Sequence, residues 1–233
     1  MKQYKSIVVI SDLHAPFMHP DTLPFLKAVK KKYSPDYVVQ IGDEIDGHSW
    51  SYHEKNPDLD SPTKELREAI NQLTPLYSLF PKVTLLESNH GSLVYRKALT
   101  AGLPSSVIKG YREILQAPKG WSWVSRLTLE TRLGPVHFIH GKSATPGRLS
   151  QLYGMSVVEG HYHESASITY TSTPERLLFG AKTGCLVDDN ALSMAYNKLN
   201  AKRPIISILV IIDGIPQIVP MVLNRKGRWL GTL

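Results

Sequence analysis

Apolar positions in the first third of the chain come in short runs, separated by stretches with helical spacing. "YKSIVVIS", "DYVVQIG" and "KVTLLES" are each an apolar run of the kind found in strands buried on both faces. Between the first two, "DTLPFLKAVKKKY" sets apolar residues at helical spacing behind Asp21, which reads as the N-cap. After a long loop, "DEIDGHSWSYHEKNPDLDSP", the stretch "TKELREAINQLTPLYSLF" predicts a second amphipathic helix. Strands alternating with helices imply a parallel sheet.

The pattern then changes. "RLTLETRLGPVHFIHG" places a turn at Gly134-Pro135 between two apolar runs. "SITYTST", "RLLFGAK" and "IISILVIIDGIPQIVPMVL" read as antiparallel strands, the last a hairpin over Asp213-Gly214. "GRLSQLYG" predicts a helix among them. No flexible linker divides the chain and no repeat is present. The expectation is an α/β (α+β) protein with a single domain over residues 1–233: two sheets packed as a β-sandwich, helices outside.

Composition narrows the class. At 233 residues and 42% hydrophobic content the chain is long enough for one sizeable core. The single cysteine, Cys185, excludes an internal disulfide and a thiolate zinc site, fits a reducing cytoplasm, and reads as a packed residue. The opening "MKQYKSIVVISDLH" meets an aspartate too soon to be a signal peptide or a membrane span, and "IISILVIID" is too short to cross a bilayer. The expected setting is therefore cytoplasmic with no membrane partner, and nothing in the sequence selects an oligomeric state. A net charge of +7 and a pI near 9.4 favour an anionic partner such as nucleic acid, a nucleotide or another phosphate ester. Solubility is the plainer alternative, because many lysines cluster in "KAVKKKY" and "NRKGRW".

The candidate chemistry lies where these strands end, which in α/β proteins is where ligands gather. The successive ends carry "SDLH" (Asp12, His14), "GDEID" (Asp43, Asp46), "ESNHG" (Asn89, His90), "FIHG" (His140) and "GHYH" (His161, His163). Oxygen and imidazole donors without thiolate suit Mn, Fe, Zn or similar divalent ions. Each motif alone is weak. Five in order, each after an apolar strand, are not accidental, and seven good ligands are the number expected for two ions sharing a carboxylate.

The series D-x-H, G-D-x-x-D, N-H, H-G and G-H-x-H, from about residue 5 to residue 165, resembles the calcineurin-like metallophosphoesterases. The resemblance implies a double β-sandwich flanked by helices. It also implies a first ion held by Asp12, His14, Asp43 and His163, with Asp43 bridging to a second completed by Asn89, His140 and His161. The two histidines of "GHYH" would then serve one ion each, since residues two apart on an extended segment face the same way. His90 would face the scissile phosphate as the catalytic residue, stabilising charge or giving a proton to the leaving oxygen. Asp46 reads as a support behind the ligands or a structural residue. Two divalent ions, manganese first and Fe, Zn, Ni or Co as alternatives, would activate water for attack on phosphorus. No protein nucleophile is needed, and no G-x-S-x-G occurs.

Two departures from the family pattern matter. Ser88 stands where a glycine is usual and Gly91 where an acid is, which leaves the orientation of His90 to another group. The arginines that grip phosphate in the Ser/Thr protein phosphatases are absent, with Gly47 and Ser88 at those places. Arg96, Lys142 and Arg148 are candidate phosphate contacts, with ordinary surface charge as the alternative. Trp50 and Tyr52, with His48 and His53 beside them, are candidates for stacking on bases, or else close over the edge of the core. His137 is expected to point away from the face of His140. The leading expectation is a phosphodiesterase or nuclease acting on nucleic acid or nucleotides. A phosphomonoesterase and a catalytically silent binding protein are the alternatives.

Overall fold

The computed structural model describes residues 2–52, 58, 60–191 and 203–233. The strands are β1 (Ser6–Ile10), β2 (Tyr37–Gln40), β3 (Val83–Leu86), β4 (Trp121–Val124), β5 (Leu127–Thr131), β6 (Gly134–Ile139), β7 (Ser156–Glu159), β8 (Ala166–Ser172), β9 (Leu177–Thr183), β10 (Ser207–Ile212) and β11 (Ile215–Pro220). The α-helices are α1 (Thr22–Tyr33), α2 (Pro62–Leu79), α3 (Leu93–Thr100), α4 (Tyr111–Ile114) and α5 (Arg148–Tyr153). They form two mixed sheets flanked by helices, ordered β11-β10-β1-β2-β3-β4 and β5-β6-β7-β9-β8.

The unbroken apolar run of β1 is explained by what lies on its two sides. Val8 and Ile10 pack with Phe25, Leu26 and Val29 of α1 and Leu73 and Leu76 of α2. Ile7 and Val9 face the other way, onto Val136 and Phe138 of β6, Val158 of β7 and Phe179 of β9. Alternation therefore survives in the packing although both faces are apolar. β1 through β4 run parallel, as the strand–helix alternation requires. The hairpin β10–β11 adds antiparallel to β1, and its turn puts Asp213 and Gly214 at φ 48 and 88.

Several local expectations shift. Asp21 precedes α1 but makes no side-chain cap. Its carboxylate instead takes Arg228 Nε at 2.8 Å and the Trp229 amide at 2.8 Å, so tertiary contact outweighs local capping. The β5–β6 turn is made by Arg132 and Leu133, with Gly134 and Pro135 already in β6. The segments read as antiparallel do pair so, β8 with β9 and β10 with β11, while β9 also lies parallel to β7, which is parallel to β6. β4 and α4 had no sequence expectation. Cys185 is fully buried, and burial pushes its thiol far above the ordinary range.

Candidate metal centre

Five loops leave the carboxyl ends of β1, β2, β3, β6 and β7 at one edge of the sandwich. Each carries one of the motifs, and their side chains converge in three overlapping groups: Asp12, His14 and His163; His14, Asp43 and His90; Asp43, His140 and His161. Within each group the donor atoms lie within 4.8 Å of one another. His163 Nε2 is 3.2 Å from Asp12 Oδ1, and His140 Nε2 is 3.1 Å from Asp43 Oδ2. Asn89 Oδ1 stands 2.7 Å from His140 Nε2. Asp43 and His14 each occur in two of the groups.

The loops reach this geometry with unusual backbone. Asp12, His14, Asp43 and His161 all sit at positive φ, between 47 and 71. Such conformations cost on the order of 1–3 kcal/mol each and persist where the surroundings over-determine them. His161 at φ 71 also corrects the reading of "GHYH" as an extended segment. The two histidines part because the chain turns between them, not because side chains alternate. Gly160 permits the turn's close approach, since a Cβ there would lie 2.8 Å from Asp12 Oδ2 and collide with Ser11 Oγ.

The hydrogen-bond chemistry tests whether these residues suit a cation. His140 Nδ1 is 2.7 Å from the Ile41 carbonyl, which only accepts, so Nδ1 carries the proton. That leaves Nε2 as the atom facing the oxygens of Asn89 and Asp43. His14 repeats the arrangement: Nδ1 donates to Asp46 Oδ2 at 2.9 Å, and Nε2 faces His163 Nε2 at 3.2 Å. Facing acceptors of this kind need either a proton or a metal cation between them. Burial opposes charge on these groups, yet the neighbouring carboxylates raise His140 to about 9 and hold His14 well above the imidazole range. Asp12 and Asp43 stay well below the carboxylate range against the same burial. A proton held there is what a divalent ion would displace, because a ligating imidazole must be neutral.

The calcineurin-like phosphoesterase family profile matches residues 5–170, well over half of the chain. The chain belongs to the calcineurin-like phosphoesterase family. Among solved structures, Vps29 from Chaetomium thermophilum aligns at 11% identity over 96% of this chain and 92% of its own, with a TM-score of 0.50. An archaeal phosphodiesterase aligns at 13% identity over 92% and 99%, with a TM-score of 0.45. Nuclease MPE from Pseudomonas putida aligns at 13% identity over 92% and 86%, with a TM-score of 0.37. At these identities the Vps29 alignment speaks to the fold alone, and the other two are weaker. No curated protein matches at a significant level. Calcineurin-like phosphoesterases bind divalent metals and act on phosphate esters, and the three clusters lie inside the matched region. No helix among the described residues is long and apolar enough to cross a membrane.

Ser88 and Gly91, which both depart from the calcineurin-like third motif, explain each other. Ser88 Oγ accepts from the Asp43 amide at 2.9 Å and the Gly91 amide at 3.0 Å, tying the second and third loops together. A Cβ at residue 91 would stand 2.8 Å from that Oγ, so a side chain there conflicts with serine at 88. The group that orients His90 is then the backbone. His90 Nδ1 donates to the Asp46 carbonyl, and the His90 amide donates to Asp43 Oδ1 at 3.1 Å. Asp46 therefore supports two histidines, His14 through its carboxylate and His90 through its carbonyl.

A groove of about 910 Å³ opens beside Asn89, His140 and His161, with Arg96 and Lys142 in its walls. Arg96 spends its guanidinium on the Asn89 carbonyl at 2.7 Å, which steadies that loop. Arg148 lies exposed on α5 and does not line the groove. Trp50 packs against the main core, the alternative reading of its loop, and Tyr52 lies exposed under Lys97 and Arg96. Neither aromatic lines the groove. His48 is buried, while His53 falls outside the described residues. His137 projects from the outer face of β6 yet lines the same groove as His140, because His140 lies past the strand end.

Sequence reasoning passed over Glu159 and Lys182, paired across β7 and β9. Glu159 accepts from the amides of Lys142 and Ser143, and Lys182 Nζ donates to the Ser143 carbonyl at 2.6 Å while lying 3.7 Å over Tyr162. The pair fixes the loop after His140 and the turn between His161 and His163. The available signal was a lysine inside the apolar strand "LLFGAKT".

Proposed function

We propose that this chain is a divalent-metal-dependent phosphodiesterase acting on nucleic acid or nucleotides. Asp12, His14, Asp43 and His163 would hold one ion, and Asp43, Asn89, His140 and His161 a second, with manganese the first choice and Fe, Zn, Ni or Co as alternatives. The observation that carries this reading is the convergence of the donor atoms: His140 and His14 are each fixed through Nδ1 so that Nε2 faces the other ligand atoms. A pair of divalent ions supplies charge that lowers the pKa of water and neutralises phosphoryl oxygens.

The chain's own groups do the rest. Asp46 and Ile41 fix the histidine tautomers, so the ligand atoms need no reorganisation before reaction. His90, with Nδ1 committed to the Asp46 carbonyl, keeps Nε2 to hold or deliver a proton to the leaving oxygen. The net charge of +7 and the basic groove favour a polyanionic ester over a small neutral-ended one.

Elemental analysis of protein purified without added metal, followed by parallel assays in manganese, tests the proposal. The panel is a bis-aryl phosphate, a mono-aryl phosphate and single-stranded DNA. The expected outcome is bound metal with turnover of both diesters. Turnover confined to the monoester would replace the reading by a phosphomonoesterase, and a metal-loaded protein inert on every ester by a binding protein.

A further inference from the structure

The groove continues well beyond the metal cluster, and its far wall is chemically distinct. The near end is bounded by Asn89, His140 and His161, and the far end by Arg126, Thr128, His137 and Tyr153. β6 links the two ends: His137 pairs with Thr128 on β5, and the strand then runs toward His140. Three residues at ~3.3 Å per residue set the far station roughly 10 Å from the His140 end. A mononucleotide ester at the cluster does not cover that distance, so filling the far station takes at least one further nucleotide.

The far station combines a cation with a flat apolar face. Arg126 is exposed, and no hydrogen bond or ion pair holds its guanidinium among the described residues. It lies near enough to His137 to help burial lower that imidazole's pKa, which leaves a neutral ring. His137 Nδ1 and Thr128 Oγ1 satisfy each other at 3.0 Å. The edge-on His137–Tyr153 ring pair, with centroids 5.4 Å apart, presets the orientation of Tyr153. Tyr153 is 47% exposed, so a base can reach it. A phosphate-binding arginine beside an oriented aromatic is what single-stranded nucleic acid uses, because charge holds the backbone and stacking holds any base. A small phosphate ester at the metal cluster would leave this station empty.

We infer that Arg126 and Tyr153 form a subsite for single-stranded nucleic acid, holding a second phosphate and a base beyond the reacting phosphorus. The inference rests on the phosphodiesterase reading for its near end and adds a substrate class, an oligonucleotide rather than a mononucleotide ester.

The test measures binding and turnover separately on the manganese-loaded protein. Binding uses fluorescence anisotropy with a labelled phosphorothioate oligothymidylate, an oligouridylate counterpart and a thymidine dinucleotide. The longer strands are expected to bind about tenfold or more tightly than the dinucleotide. Arg126→Ala should lose about tenfold in oligonucleotide affinity and lower the log–log salt slope by ~0.7, the signature of one lost phosphate contact on a single strand. Tyr153→Ala should lose a similar factor with the salt slope unchanged, and Tyr153→Phe should restore it. In turnover, Arg126→Ala should lower the ratio of oligonucleotide to bis-aryl phosphate hydrolysis. Equal affinity for long and short strands, or wild-type affinity and slope in Arg126→Ala, overturns the subsite while the phosphodiesterase reading stands. Length- and Arg126-dependent binding without hydrolysis of any ester keeps the subsite and overturns the reading of the metal cluster.

Discussion

The two halves of the candidate centre are built differently. Asp12 and His14 are buried, and with His163 they form a half closed in by Ser11, Asp46 and the Gly160 turn. The other half shares buried Asp43 and His140 but adds Asn89 and His161, both exposed and both facing the groove. The closed half has polar partners at its back and little exposure to solvent, which holds its geometry. The open half leaves room for an incoming phosphate. On the proposed reading, the first ion would be held chiefly by the protein, whereas the second would be left open to the substrate.

The largest blow to this comparison is expected from Asp43→Asn, because Asp43 belongs to both halves. Turnover should fall at least about a hundredfold and metal content should drop, read by elemental analysis and steady-state kinetics. Wild-type turnover in this variant would refute the shared carboxylate. His163→Ala and His161→Ala then separate the halves. The first should lose bound metal, whereas the second should mainly raise the metal concentration needed for activity, as metal titration would report. Equal metal loss in both would erase the distinction drawn here.

Asp46→Asn is expected to act on the closed half through His14 and to leave His90 in place, because His90 is held by the main-chain carbonyl of residue 46. An asparagine can no longer accept charge-assisted from His14 Nδ1, and a loss of about 10–100-fold in metal affinity or activity follows. Ser88→Ala should be milder in activity but visible in stability, since it leaves the buried Asp43 and Gly91 amides without their acceptor, a cost of about 1–3 kcal/mol. A thermal melt matching wild type would show that Ser88 does not tie the two loops. The smallest effect lies outside both halves. Asp21 is held at about 2, below its ordinary 3.8, by its hydrogen bonds with Arg228. A depressed carboxyl stabilises the fold above its unfolded pKa and loses that contribution as pH falls through about 2. Asp21→Asn should therefore narrow the gap to wild type in acid melts, and only modestly, because Arg228 is largely exposed.

Much of the architecture was legible because its signals are local. The apolar runs of β1, β2 and β3, the spacing of α1 and α2, and the Asp213-Gly214 turn are each written within about a dozen residues. What misled was also local. Asp21 has the chemistry of a cap, and Trp50 has the chemistry of a stacking platform, but each found a stronger partner elsewhere. Arg148 has a suitable charge on the wrong side of α5. The orientation of His90 was illegible because its partner is a main-chain carbonyl, and a carbonyl has no letter in the sequence.

The sequence by itself determined the alternation of strands and helices, the family motifs and the identity of the side chains available to a cation. These depend on residue type and short spacing. Only the tertiary structure decided that His14 meets His163 across 149 positions, that Ser88 and Gly91 are one adjustment rather than two, and that Arg126 and Tyr153 share a groove with His140. Those facts depend on strand register and on where the chain turns back, and both are set by the packing of the whole core.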